Sequence, residues 1–115
     1  MNLIKAKAWA EEMDVMLTVC NTKGIIVYMN RASKLGFHKY GGEELIGKSI
    51  LNCHNPHSQE QIKSMLQFPQ TNIYITSKAT ERRLIRQFPW VENGEVKGII
   101  EMSFDLPADV TEKKR

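Results

Sequence analysis

The sequence has 115 residues, of which 42% are hydrophobic and 25% are charged, as is typical of one soluble globular domain and not of a disordered chain. Its net charge of +3 is small, and its basic residues form no long stripe with interleaved aromatic side chains, so we do not expect nucleic-acid binding. No apolar run approaches the roughly 20 residues of a membrane span, and Lys5 and Lys7 interrupt the region where a signal peptide has its apolar centre. We therefore expect a cytoplasmic protein without membrane contact.

The first elements along the chain are a predicted helix and a predicted β-hairpin. Residues 2–13 place apolar and charged side chains on different faces, with the spacing of an amphipathic helix. The apolar runs 15–21 and 25–29 contain β-branched residues and predict two strands. Asn21 and Gly24 indicate a short turn between them, so the two strands are expected to pair.

The middle of the chain predicts short helices. One is expected over residues 31–39 and a further helical turn over residues 43–46. Ser58 and Gln61 have the spacing of a capping box, so a longer helix is predicted to begin at Ser58 and to end at Pro69. The residues of the first short helix that are expected to face inward are Ala32, Leu35 and Gly36.

The last part of the chain predicts three strands, over residues 72–76, 83–90 and 96–104. Asn93-Gly94 favours a type I′ turn between the last two. Because a lone hairpin is only marginally stable, both sets of strands are expected to share one sheet. The predicted fold class is α+β, a five-stranded antiparallel sheet with short helices over one face and an N-terminal amphipathic helix.

Four segments, in this order and spacing, resemble the PAS family. They are a Gly turn with an apolar strand and a following Asn, a short step before the long helix, the last hairpin, and an Asp-Val-Thr element after it. Their positions are 21–32, Leu45-Ile46-Gly47-Lys48-Ser49, Asn93-Gly94-Glu95 with Lys97-Gly98-Ile99-Ile100-Glu101, and Asp109-Val110-Thr111-Glu112. The resemblance divides the chain into an N-terminal helix (1–13), a PAS-like sensor domain (14–105) and a C-terminal linker or tail (106–115).

A narrower resemblance concerns residues 52–58 and Phe88-Pro89-Trp90. These are similar to a subgroup of bacterial and archaeal PAS domains with a Cys-His-Pro-Pro-type loop, often fused to a hemerythrin-like domain. Asn55 stands where that pattern has its first proline.

The PAS resemblance implies a sensory or signalling module without catalytic activity. Such a module binds a small apolar ligand or haem, mediates dimerisation, or does both. PAS domains usually act with a kinase, cyclase or DNA-binding effector, and the sequence contains no recognisable one, so an effector domain or partner protein is expected. A ligand-free protein-interaction module is the alternative, and a small metal-dependent enzyme is a third hypothesis.

The strongest chemical cluster is Cys53, His54 and His57, three donor side chains within five positions. Such donors bind transition metals, and an imidazole also ligates haem iron. Since some PAS relatives hold haem through a histidine on or near the long helix, the resemblance makes haem a candidate cofactor, with His54 as the iron ligand and His57 beside it. The alternative is a polar loop in which His54 hydrogen-bonds to the backbone.

Several Met and aromatic side chains are candidates for lining a ligand cavity, because such cavities are mostly apolar and methionine adapts to irregular shapes. Ordinary core packing is the alternative for each of them. The candidates are Met16, Met29, Met65, Tyr74, Phe88, Trp90 and Met102.

Three further residues have predicted structural roles. Asn30 is expected to hydrogen-bond backbone groups at a strand-to-helix junction. Cys20 is expected to be a small core residue. Glu101 interrupts an apolar strand and is expected to face solvent or to pair with Arg86 across the hairpin.

The N-terminal helix is a candidate for dimerisation, because its apolar side chains (Leu3, Ile4, Ala8 and Trp9) must be buried somewhere. The helix either folds back on its own sheet or pairs with a second copy. In PAS relatives such a helix commonly mediates dimers, so the resemblance implies a homodimer.

Overall fold

The computed structural model describes residues 8–115, the side chain of Cys53 excepted. Half of the helix predicted over residues 2–13 lies outside the described residues, and in the other half the helix α1 ends at Glu11, two residues earlier than predicted. The helices and strands are α1 (Ala8–Glu11), β1 (Met16–Asn21), β2 (Ile26–Met29), α2 (Arg31–Gly36), α3 (Pro56–Gln67), β3 (Asn72–Lys78), β4 (Glu81–Glu92) and β5 (Glu95–Asp105). Three short 3-10 helices, His38–Tyr40, Gly42–Leu45 and Ile50–Cys53, join α2 to α3.

The five strands form one antiparallel sheet in the order β2-β1-β5-β4-β3. The predicted α+β fold class is therefore confirmed. The C-terminal strand β5 is at the centre of the sheet, and the N-terminal strand β1 lies beside it. Side chains alternate between the two faces of each strand. We call the face covered by the helices the inner face and the opposite one the outer face.

The core lies between the inner face and the helices. Its buried apolar side chains come from three strands, from α3 and from two of the 3-10 helices. They are Cys20, Ile26, Met29, Leu45, Ile50, Ile62, Met65 and Ile99. Full burial of an aliphatic side chain contributes about 1.5–3 kcal/mol. The prediction that Cys20 is a core residue is confirmed, because its side chain is fully buried.

The predicted turn at Asn93-Gly94 joins β4 to β5. Asn93 has φ of 52° and Gly94 has φ of 77°, as both central residues of a type I′ turn require. The two strands are longer than predicted, because pairing continues to Glu92 and Glu95 beside the turn and to Arg83 and Asp105 at the far end.

Asn30 organises the junction between β2 and α2, as predicted. Its side-chain oxygen accepts hydrogen bonds from the backbone N–H groups of Leu17 and Ser33, both at 3.0 Å. Its side-chain nitrogen donates to the carbonyls of Ala10 at 3.1 Å and Val15 at 2.8 Å. One fully buried amide thus ties α1, β1 and α2 together.

The described part of the N-terminal helix packs against the sheet. Ala10 is buried, and the Tyr28 hydroxyl donates to the Glu11 carboxylate at 2.6 Å. Burial and this hydrogen bond raise the pKa of Tyr28. Trp9 on the same helix is 68% exposed.

Two predictions about the helices are wrong in detail. Leu35 is 67% exposed, and Ser33 is the buried residue of α2 because it turns inward to hydrogen-bond with Thr18 at 2.5 Å. The longer helix begins at Pro56 and not at Ser58, since Asn55 caps it by accepting from the backbone N–H of Ser58.

Residues 106–115 contain no helix or strand. Among the described residues, no helix is long and apolar enough to span a membrane.

Candidate functional site

A buried polar cluster lies at the centre of the inner face. The Glu101 carboxylate on β5 accepts hydrogen bonds from His54 Nε2 at 2.8 Å and from Gln87 Nε2 at 2.6 Å. Gln87 in turn accepts from Asn72 Nδ2 at 3.0 Å. The cluster therefore crosses from the loop before α3 through β5 and β4 to β3, and the side chains of His54 and Glu101 are only 7% and 4% exposed.

The partners of His54 determine where its protons lie. Its Nδ1 is 2.9 Å from the Ile50 carbonyl oxygen, which can only accept, so Nδ1 is the donor. Burial raises the pKa of Glu101, but the charge of His54 and the hydrogen bonds from His54 and Gln87 lower it more, so the pKa lies below its usual value. A carboxylate accepts only, so Nε2 also donates and His54 and Glu101 form a buried ion pair.

This arrangement corrects the prediction for Glu101, which is neither solvent-facing nor paired with Arg86. Glu101 pairs in register with Gln87, and Arg86 pairs with Met102. Adjacent residues of a strand point to opposite faces, so Arg86 lies on the outer face, where its guanidinium is 5.1 Å from the centre of the Phe88 ring.

The loop that carries His54 is held by its own hydrogen bonds. Ser49 caps the 3-10 helix Ile50–Cys53 by accepting from the backbone N–H of Leu51 at 3.2 Å. The Gln59 side chain on α3 donates to the carbonyls of Leu51 and His54, both at 3.0 Å. These contacts place the imidazole over β5.

A cavity of about 540 Å³ lies beside the His54–Glu101 pair, between the inner face and the segment from α2 to the loop before α3. Its lining residues come from six elements and their loops. They are Met16, Gly36, Phe37, Lys39, Tyr40, His54, Asn55, Tyr74, Thr76, Lys78, Glu81, Arg83, Ile85, Glu101 and Ser103.

The inner end of the cavity is polar and well connected. Ile85, Glu101 and Ser103 are buried there. Arg83 Nε donates to the Ser103 hydroxyl at 2.6 Å, and Arg83 Nη2 donates to the Ser103 carbonyl at 2.9 Å. The third guanidinium nitrogen is 3.7 Å from a carboxylate oxygen of Glu81. Hydrogen-bonding groups are thus already aligned along one wall.

The mouth of the cavity brings two lysines together from opposite walls. Lys39 lies in the 3-10 helix after α2, and Lys78 ends β3; both are exposed. The hydrogen-bonding interaction with Lys39 and its like charge lower the pKa of Lys78. Tyr40 and, to a smaller extent, Glu81 act in the opposite direction, but the net change in the Lys78 pKa is downward.

The predicted site residues are partly brought together. His54 and Tyr74 both line the cavity, as does Met16. Met65 and Met29 are buried in the apolar core. His57 is exposed at the second position of α3.

Phe88, Trp90 and Met102 lie on the outer face, away from the cavity. Trp90 packs against an outer-face cluster of Val19, Val27 and Tyr28. Phe88 and Met102 share the strand periodicity of Trp90 and Arg86, opposite to that of Gln87 and Glu101. One cavity therefore cannot be lined by these three residues and His54 together.

The structure bears on the predicted metal site and on the predicted haem ligand in different ways. Leaving out the Cys53 side chain, no group of three or more His, Cys, Asp or Glu side chains is placed to hold a metal ion in the described part of the chain. An iron ligand needs a ring nitrogen with an available lone pair. Both nitrogens of His54 are hydrogen-bond donors in this arrangement, so iron ligation would require His54 to give up one of these two hydrogen bonds.

Residue-by-residue reasoning missed the polar part of the site, which consists of Lys39, Lys78, Arg83, Glu101 and Ser103. A signal was present in the two last strands. Arg83 and Gln87 each lie two positions from Ile85 and belong to the same alternating series. Glu101 and Ser103 continue the series of Ile99 in the same way. Polar residues on an otherwise core-facing series indicate a buried polar site.

No protein-family model matches the chain, and no curated protein matches its sequence. Several solved structures match the fold. The structure of VqmA bound to DPO, a Vibrio cholerae protein, has a TM-score of 0.66 and 15% identity, covering 86% of this chain and 56% of that one. The chain thus spans little more than half of the VqmA chain.

Two further structures match over most of both chains. A sensory box sensor histidine kinase from Vibrio cholerae has a TM-score of 0.63 and 15% identity, covering 88% of this chain and 87% of that one. The PAS domain of an HTR-like protein from Haloarcula marismortui has a TM-score of 0.60 and 15% identity, covering 86% and 87%. The narrower likeness to the Cys-His-Pro-type subgroup stays a prediction. At this level of identity the matches establish the architecture, and the protein has the PAS fold.

Proposed function

We propose that this protein is a sensory module that binds a small molecule in the cavity on its inner face. The observation that supports this function is the cavity of about 540 Å³ that extends from the surface to the buried His54–Glu101 pair. Ligand cavities typically combine apolar walls with a few positioned polar groups. The related fold of VqmA carries the ligand DPO, which is a precedent for occupancy in this architecture.

The cavity is placed where a ligand could alter the sheet. Glu101 and Ser103 belong to β5, which pairs with both β1 and β4 and leads into residues 106–115. A ligand that contacts β5 and the His54 loop with different affinity in two conformations would shift the equilibrium between them. This is how we expect occupancy to reach an effector domain or partner protein.

The other predictions from the sequence complete the proposal. We propose a homodimer that includes the N-terminal helix, a cytoplasmic location and no catalytic activity. A ligand-free interaction module remains the competing function, and it predicts that the cavity stays empty of small molecules. Haem stays an untested prediction, and a visible spectrum before and after adding hemin tests it by the presence of a Soret band.

The test is a thermal-shift screen of the purified protein against a small-molecule library. A ligand that binds only the folded state raises Tm. Thr76→Trp fills the cavity, whereas Ser77→Trp places the same bulk on the outer face, because adjacent residues of β3 alternate. Compounds that raise Tm in the wild type and in Ser77→Trp but not in Thr76→Trp support the proposal. If no compound does so and native mass spectrometry finds no copurified molecule, the ligand-free function is correct instead.

A further inference from the structure

The lining of the inner-face cavity has an excess of positive charge. Lys39, Lys78 and Arg83 are its cations, and His54 and Glu101 compensate one another as an ion pair. The remaining carboxylate in the lining is Glu81, which lies near Arg83 and influences Lys78. One carboxylate between three cations leaves the entrance of the cavity positively charged.

The two lysines at the mouth are placed as an anion would need them. They reach the mouth from different walls, Lys39 from the helical side and Lys78 from β3. Both side chains line the same cavity, and their like charges repel one another. An anion between them would replace this repulsion with two attractive contacts, whereas a neutral ligand would leave it in place.

Arg83 has a different role, because two of its donor nitrogens are already used by Ser103. Arg83 therefore stabilises the inner wall through Ser103. The amino groups of Lys39 and Lys78 are exposed, so they are the cations that an anion from solvent can bind. The same lining also has an apolar part, which includes Met16, Phe37 and Ile85. A ligand with an apolar body and an acidic group matches this combination of an apolar lining and two exposed lysines.

We propose that the cavity takes an organic anion, with its apolar body on the inner face and its acidic group between Lys39 and Lys78. This inference rests on the proposed ligand-binding function and specifies the chemical class of the ligand. Carboxylates, sulfonates and phosphate esters share the required chemistry.

Two fluorescent probes with a common ring system test the role of charge. One is 8-anilinonaphthalene-1-sulfonate, which carries an acidic group, and the other is N-phenyl-1-naphthylamine, which lacks it. The variant is Lys39→Gln/Lys78→Gln. The control is Lys23→Gln/Lys63→Gln, which removes the same charge from exposed lysines outside the cavity lining. Thr76→Trp reports whether a probe occupies the cavity at all.

We expect the double cavity variant to raise the Kd of the sulfonate probe about fivefold, as loss of two exposed charge contacts predicts. The Kd of the neutral probe should change less than about twofold in either double variant. Added salt should weaken binding of the sulfonate probe selectively, because the lysines are exposed.

Two other outcomes overturn the inference and are distinguishable. If Thr76→Trp abolishes binding of both probes but the lysine variant and its control behave alike, the cavity binds ligands without selecting anions. If Thr76→Trp affects neither probe, the cavity is not a ligand site, and the proposed function fails together with the inference.

Discussion

The His54–Glu101 pair places two ionisable groups where little water reaches them. Removing such groups from water is costly, and a buried ion pair often contributes less to stability than apolar residues of the same volume would. Its effect here is positional, since His54 joins the loop before α3 to β5 through a contact across 47 positions of sequence. Loss of either partner would leave the other buried without its counter-charge.

Replacement of Glu101 by Gln tests the pair through the pH dependence of folding. The pKa of Glu101 in the folded protein lies below its usual value of 4.5, so protons bind more tightly to the unfolded chain in that range. The stabilisation from this carboxylate is therefore fully present above about pH 4.5 and is lost as pH falls through the folded pKa. We expect Glu101→Gln to lower the free energy of unfolding by about 2 kcal/mol at pH 7, and by progressively less below pH 4.5.

The measurement is urea denaturation of wild type and variant across this pH range. Glu95→Gln is the matched control on the same strand. Lys97 lowers the pKa of Glu95 through a hydrogen bond and its charge, but that pair is exposed, so its removal should have little effect. An equal loss of stability from Glu101→Gln at pH 7 and at pH 3.5 would contradict the proposed ion pair.

The roles of single residues were predictable where they depend on local sequence. Asn30 follows an apolar strand and precedes a helix, so its capping role could be inferred from its neighbours. The partner of Glu101 could not, because His54 belongs to a distant loop. The alternation of β4 and β5 separates Phe88, Trp90 and Met102 from Gln87 and Glu101, but sequence alone does not say which face the helices cover.

At the scale of elements, the pairing of β1 with β5 requires a close approach of their backbones. Gly98 on β5 pairs with Asn21, and a methyl group added at Gly98 would overlap the carbonyl oxygen of Cys20. We expect Gly98→Ala to lower the free energy of unfolding by about 3 kcal/mol or more, because the two central strands would have to separate locally. Equilibrium denaturation measures this loss.

Gly94→Ala is the control, because it replaces a glycine in the turn before β5 without creating a steric overlap. Gly94 has φ of 77°, but an added methyl group there would meet nothing within 4 Å. Only conformational strain of about 1–2 kcal/mol is expected. Equal losses in both variants would show that the strands do not approach as closely as described.

The elements themselves were largely predictable, and their arrangement was less so. The Asn93-Gly94 turn has a specific conformational requirement, so both strands beside it could be located. The start of α3 was misplaced because Asn55 and Ser58 are both good capping residues, and the Pro at position 56 favours the earlier one. β1 and β5 come from opposite ends of the domain, so no local sequence pattern predicts that they pair.

At the scale of the whole molecule, the outer face and α1 are the surfaces that could join two copies. Ile73 and Ile75 on β3 are exposed on the outer face. The described part of α1 returns to its own sheet through Ala10 and Glu11. Folding back and pairing with a second copy are therefore compatible, because Trp9 stays exposed while α1 is docked.

Replacement of Trp9 by Glu tests the proposed homodimer. If the N-terminal helix contributes to the interface, an exposed Trp on it is expected to be an energetic centre, and Trp9→Glu should weaken dimerisation about tenfold or more. Phe68→Glu is the control, because Phe68 directly follows α3 and is 64% exposed, nearly as much as Trp9 at 68%. Sedimentation velocity over a range of concentrations measures both. A dimer that persists unchanged in Trp9→Glu would place the interface away from this helix, and a monomeric wild type would contradict the homodimer itself.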